Sequence, residues 1–215
     1  MPDSFVALIV GVQSNKVPGH AGILIRLKGI NYFHHFRFRG RPEVIDNFNP
    51  KHWLVYKIIN LIKVDDESEV ESFLSHCKRV CEKSKIVYSC TFDGSHYNAE
   101  GEFDSASGLP ELGTCVGFCL NTIALYAIDH DSYLQLEDWD EHSVSGAIAL
   151  DNYGQTQTFV KHPYIDQGLY NAYHKRISPT DYLCAAFFDK YPVRKEQIEE
   201  IAMDVLKVID EKFNS

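Results

Sequence analysis

Gly19-His20-Ala21-Gly22-Ile23-Leu24-Ile25-Arg26-Leu27-Lys28-Gly29-Ile30-Asn31-Tyr32-Phe33-His34-His35-Phe36-Arg37 reads as two strands joined by a tight turn. Ala21 to Leu27 is β-branched and apolar, Lys28-Gly29 is a turn signal, and Ile30 to Arg39 is aromatic and alternating. With Lys28 and Gly29 as the two turn residues, Leu27 pairs with Ile30, Gly22 falls opposite His35, and His20 falls opposite Arg37. Side chains at 20, 22, 24 and 26 then share a face with those at 31, 33, 35 and 37. His35 is one diagonal step from His20. A change of one residue in the turn brings His34 there instead, so His34 is the fallback.

Working outward, Ser4 to Val12 reads as a strand and Gln13 to Gly19 as a loop with a Pro-Gly signal. Residues 40 to 52 form a loop, and Trp53 to Val64 a further strand. Asp65 or Asp66 caps a helix to about Lys83, with Val70, Phe73, Leu74, Cys77 and Val80 as its apolar stripe. Ile86 to Phe92 is a short strand or extended linker. Asp93 to Gly113 is polar and rich in small residues, which predicts an exposed, mobile loop. Trp139 to Ala149 and Gln155 to Lys161 hold short apolar runs that suit strands or surface loops. Residues 162 to 178 show little periodicity, and Asp181 to Phe188 suits a short helix. Residues 194 to 213 form an amphipathic helix with Ile198, Ile201, Ala202, Val205, Val208 and Ile209 inward.

The chain has 215 residues, which fits a single domain over 1–215. Its net charge of -9 argues against nucleic acid or an anionic membrane as partner. No apolar run approaches a bilayer span, and Phe5 to Val12 has no basic region before it. These features predict a soluble, cytoplasmic protein, with export by a route lacking a cleaved signal left open. Six cysteines in a chain of this size do not form a disulfide framework. Zinc is the sharp reading of His76-Cys77 and Cys81, but turn-like ligand pairs are missing and core cysteines are the simpler account. No phosphate-cradling loop or zinc-protease helix is present, so neither metal nor cofactor is implied.

Chemistry concentrates in Leu112-Gly-Thr114-Cys115-Val-Gly-Phe118-Cys119-Leu-Asn-Thr-Ile123, a loop entering an apolar helix that runs to about Asp129. Thr114 is placed as N-cap and Cys115 in the first turn. The positive end of the helix dipole favours thiolate there, and thiolate is the nucleophilic form. Cys119, one turn further in, is the weaker nucleophile because its amide is bonded and its sulfur buried. A nucleophilic thiol needs a base, and the base a polar group to orient it. His20 at a strand start, His35 on the neighbouring strand and Cys115 on a helix packed across that sheet meet the requirement. The Cys115 amide is a natural oxyanion donor.

Gly19-His20-Ala-Gly22-Ile23 with its hairpin, an acidic-capped helix, Val87-Tyr88, and then Thr114-Cys115-Val-Gly-Phe118 resembles the permuted NlpC-type papain-like hydrolases, whose fold group includes the lecithin:retinol acyltransferase-like enzymes. The resemblance covers residues 5 to 130. It implies an α+β, circularly permuted papain-like fold with an antiparallel sheet against the cysteine-bearing helix; residues 131–215 have no counterpart in it and are read from their own pattern as additional strands and a C-terminal helix. It also implies a catalytic set of Cys115, His20 and His35. The reaction would be cleavage of an amide, peptide or ester bond through a thioester, or acyl transfer at the same site.

Other readings compete. Cys115 with His142, followed by a strand over Val144 to Leu150, would give ordinary papain order. His20 alone is compatible with a structural strand-end histidine. His96, His130, His162 and His174 are most simply surface or loop residues. A binding module that keeps the fold without the chemistry is the alternative function, and assembly through the helix at 194–213 a third.

Overall fold

A computed structural model describes residues 2–51, 54–59, 67–126 and 133–214. The protein is α+β, built on a five-stranded antiparallel sheet in the order β4-β3-β2-β1-β5. Its strands are β1 (Phe5–Val12), β2 (Pro18–Leu27), β3 (Ile30–Phe36), β4 (Pro42–Ile45) and β5 (Leu54–Ile58). All of β1 is buried, which is why it reads as an unbroken apolar run. Val6, Leu8 and Val10 join Ala21, Ile23 and Ile25 in the main core on one face. Ala7, Ile9, Leu24 and Phe33 form a smaller cluster on the other.

The hairpin register is the expected one. Leu27 pairs with Ile30 and Gly22 with His35. Lys28 and Gly29 both take positive φ, 51° and 78°, the signature of a two-residue turn whose twist matches its strands. The start of β2 differs from expectation. Gly11 pairs with His20 but Val12 pairs with Pro18, so Gly19 is an extra residue in the ladder. The bulge carries β2 back to Pro18 and sets His20 inside the strand rather than at its end. The strand expected over Trp53 to Val64 ends at Ile58. Its far part, and the Asp65 or Asp66 cap, lie outside the described residues.

Helix α1 (Glu67–Lys83) buries Val70, Phe73, Leu74, Cys77 and Val80 as its stripe predicts, together with His76. Helix α2 (Cys115–Ile123) is buried along its length and passes into a 3-10 turn at Ala124–Tyr126. The expected extension to Asp129 falls outside the described residues. His34 ties these helices to the sheet. Its Nδ1 lies 3.3 Å from Cys81 Sγ on α1, its Nε2 lies 3.1 Å from Thr122 Oγ1 on α2, and its ring stacks on Phe118 at 4.7 Å.

The segment from Asp93 to Gly113 is not the exposed loop its composition suggests. It contains two short strands that pair with each other, β7 (His96–Tyr97) and β8 (Phe103–Asp104). It also contains β9 (Leu112–Gly113), which runs parallel to β6 (Val87–Tyr88). Ser95, Tyr97, Leu109 and Leu112 are buried. The small polar residues serve as internal donors and acceptors: Ser105 Oγ donates to the Leu109 carbonyl, and Ser95 Oγ accepts from the Ala106 amide.

Residues 141–161 are helical where strands or surface loops were expected, while the short helix expected near 181–188 and the amphipathic helix expected over 194–213 are both present. Glu141–Ala147 is a 3-10 helix running into α3 (Ile148–Lys161), followed by α4 (Gln167–Ala172), α5 (Pro179–Ala185) and α6 (Lys195–Asn214). The face that α3 buries carries Asp151, Gly154 and Thr158, while Ile148 and Val160 face solvent. Its period was therefore carried by small and polar residues, where a hydrophobicity pattern does not look. In α6, Ile198 and Ile209 are buried, but Val208 is exposed and Leu206 is the half-buried neighbour. The C-terminal helices belong to the same core as the sheet: Ile177, Tyr182, Leu183 and Ile198 share a cluster with Leu8 and Phe118. No described helix is long and apolar enough to cross a membrane.

Candidate functional site

His20 and His35 come together as the register predicts. His20 Nε2 lies 3.0 Å from His35 Nδ1. Phe33 supports both rings, stacked on His35 at 4.3 Å and edge-on to His20 at 6.3 Å. A fourth group follows: Glu43 Oε1 on β4 lies 3.3 Å from His35 Nε2, and Arg37 forms an ion pair with the same carboxylate. The His35–Glu43 approach is a close polar contact rather than an aligned hydrogen bond. Sequence reasoning missed Glu43, although the β3–β4 register pairs it with His35. Knowing that pairing requires placing the Arg37 to Arg41 turn, which carries no hairpin signature.

This arrangement selects a tautomer. A carboxylate beside His35 Nε2 favours a proton there, which leaves His35 Nδ1 as acceptor. His20 Nε2 then donates, and His20 Nδ1 keeps its lone pair. That is the form a general base requires. Burial, and secondarily the charge of Arg37, hold the His20 imidazole down at about 4, so it is neutral near pH 7. His35 is likewise held at about 4, mainly by burial and by His20, with Glu43 opposing.

Cys115 opens α2 as expected. Thr114 caps the helix in extended conformation, its Oγ1 accepting from the Gly117 amide at 3.2 Å. The thiol rests against the backbone amide of Ala21, the residue after His20, and against the amides of Val116 and of Cys115 itself. Among the described residues no hydrogen bond joins Cys115 to His20. The thiol packs into the main core with Ala21 and Ile23, while both histidine rings lie on the Phe33 side of the sheet. The expected preference for thiolate is also corrected. Cys115 is 7% exposed, and burial pushes its thiol up despite the three amides and the Arg176 guanidinium that pull it down.

The C-terminal region packs against the segment that follows β6. Thr91 bridges His174, and the Lys175 amide donates to the Cys90 carbonyl at 3.0 Å, laying residues 173–176 along the chain that leads from Tyr88. His174 lies in the loop between α4 and α5, as expected, but is tied down: its Nε2 lies 2.8 Å from Asp151 Oδ1 on α3, within a half-buried pair. Asp151 also reaches Cys90. From α5, Tyr182 OH donates to the Gly22 carbonyl at 2.9 Å, bracing β2 beneath His20.

The other candidates fall away on geometry. Cys119 is fully buried. His142 is exposed on a 3-10 helix, and the strand that would follow it is helical. His34 faces α1 and α2 rather than His20; burial holds it at about 3 and pushes its partner Cys81 up to about 12, so the pair is neutral and serves as a polar cross-link. Among the described residues no three His, Cys, Asp or Glu side chains converge as a metal set. Comparison with protein-family models, curated proteins and solved structures finds no match to this chain.

Proposed function

We propose that the protein is a cysteine hydrolase of the permuted papain-like kind, cleaving an amide, peptide or ester bond through a thioester. The observation that carries this reading is the placement of the Cys115 thiol, at the capped start of α2, against the amide that follows His20. His20 is in turn bonded to His35. For His20 Nδ1, the ring nitrogen that His35 leaves unused, to take the thiol proton as sulfur attacks the carbonyl carbon, the His20 ring must first turn from the Phe33 side of the sheet to the side that holds Cys115. The same proton would pass to the departing amine or alcohol. Water, deprotonated by His20, would then release the acid and restore the thiol. The Ala21 and Cys115 amides suit the developing oxyanion. Thiol and imidazole are both neutral at rest, so the step is general-base attack rather than reaction of a preformed ion pair.

The test is acylation by p-nitrophenyl esters followed by intact mass and peptide mapping. One acyl group on Cys115, lost in Cys115→Ser and slowed in His20→Ala, is the expected result. No adduct on Cys115, or an unchanged rate in His20→Ala, would sink the hydrolase reading.

One observation favours a second reading, a binding module that keeps this architecture without the chemistry. Burial of the thiol, without a direct bond to His20, is what a retired nucleophile would show. Stoichiometric small-molecule binding that is indifferent to Cys115→Ser would support it.

A further inference from the structure

A cavity of about 650 Å³ opens where the turn after β3 meets the end of α1 and the end of α3. Its charged wall is Arg39, Arg41, Lys85 and Lys161, against the single carboxylate of Glu82. That balance is the reverse of the chain, whose net charge is -9. Among the described residues these four cations form no ion pair, whereas Lys16, Lys28, Arg37, Lys78, Lys83 and Arg194 are each matched to a carboxylate. A cluster of like charges left unmatched raises the free energy of the folded chain unless a counter-charge joins it.

The wall is also partly ordered in advance. Arg39 takes positive φ, 61°, and its guanidinium sits over the rings of Phe38 and Tyr153 at 5.1 and 4.7 Å. The turn is closed by the Gly40 amide donating to the Arg37 carbonyl at 2.8 Å. A guanidinium fixed by its aromatic neighbours loses less freedom on binding and presents a planar fork to oxyanions. Lys85, two residues past the end of α1, and Lys161, the last residue of α3, supply further point charges, as suits a group with several anionic oxygens.

We propose that this cavity binds a small phosphorylated molecule, its phosphate or oligophosphate group held by Arg39, Arg41, Lys85 and Lys161. The site is independent of the Cys115 chemistry. Its size suits a discrete ligand, and the acidic surface elsewhere disfavours an extended polyanion.

Calorimetric titration with sodium pyrophosphate and tripolyphosphate at low salt tests the proposal on the full chain. One saturable site is expected, weakened about tenfold or more in the double variant Arg41→Glu, Lys161→Glu through lost and reversed charge. The control Lys190→Glu, Lys207→Glu has the same net charge and should bind as the parent does. Absence of saturable binding, or an equal loss in the control, overturns the proposal. Tighter binding of a single-stranded oligonucleotide than of tripolyphosphate, lost in the same double variant, would also overturn it in favour of a nucleic-acid site. Should the double variant fail to fold by circular dichroism, Arg41→Ala and Lys161→Ala read the same loss singly, and parental binding in both would overturn it.

Discussion

His20 and His35 face each other across β2 and β3 with Nε2 to Nδ1 at 3.0 Å, and the far nitrogen of His35 looks at Glu43 Oε1 at 3.3 Å. The second relationship gives the first its direction. A carboxylate at one end of two linked imidazoles orders both protons and leaves the free nitrogen of His20 bare. Glu43→Gln keeps the shape and removes that preference. On the proposed mechanism it should lower kcat for ester hydrolysis by roughly ten- to a hundredfold with little change in KM, as losses of orienting partners do. Imidazole NH resonances of His20 and His35 should change with it. Unaltered resonances together with unaltered kcat would show that Glu43 sets no tautomer.

Gly22 is opposite His35, and its missing side chain makes room for the aromatic support. A Cβ at that position would lie 2.2 Å from Phe33 Cε2 and 3.0 Å from the His34 carbonyl oxygen. The ring can swing aside, but the carbonyl belongs to the ladder and cannot. Gly22→Ala should therefore cost about 1–3 kcal/mol of stability by overpacking. It should also displace Phe33 from its 4.3 Å stack on His35. Chemical denaturation measures the first effect and histidine NMR the second; a variant as stable as the parent would contradict this account.

How far the sequence disclosed this architecture depended on where the signal lay. The hairpin was legible because period-two alternation and a Lys-Gly turn fix a register, and one register puts His35 beside His20. The Thr114 cap and the apolar helix behind Cys115 were legible for the same local reason. Three things were not. The Gly19 bulge is a property of the β1–β2 ladder and has no signature in β2 alone. Helix α3 hides its buried face behind Asp151, Gly154 and Thr158, so it reads as broken strand. The state of Cys115 depends on burial by residues such as Ile177 and Tyr182, more than sixty positions away in the chain. A helix-dipole argument counts the local attraction and omits that distant desolvation, which outweighs it.

Gly154 offers a case where two opposed effects decide a sign. In an exposed helix Gly→Ala gains about 1 kcal/mol from backbone entropy alone. Here the added Cβ would lie 2.9 Å from the Tyr88 carbonyl oxygen and 3.0 Å from Ser89 Cα, both backbone atoms. Contacts that short must be relieved by moving α3 away from β6, at a cost of about 1–3 kcal/mol. Gly154→Ala should therefore lower Tm. It should also loosen the pairing of Asp151 with His174, which shares that helix face. A rise in Tm would mean that α3 packs less closely on Tyr88 than the structure has it.

Acid sensitivity follows from the buried imidazoles. His20, His35 and His76 are held at about 4 and His34 at about 3, each chiefly by burial, against an ordinary value of 6.5. The unfolded chain binds protons at these positions as pH falls through 6.5, while the folded chain resists until about 4 or below. Folding stability is therefore fully present above pH 6.5 and declines between about 6.5 and 4. His34 contributes alongside the others over this range, since protonation would place a charge between Cys81, Thr122 and Phe118 with no acid to balance it. Urea denaturation at pH 7.5 and pH 5 should show a loss of several kcal/mol, larger than surface histidines would produce. His34→Gln removes one imidazole and should flatten the slope even where it lowers stability overall. A parent protein equally stable at both pH values, or a variant with an unchanged slope, would remove His34 as an acid-sensitive group.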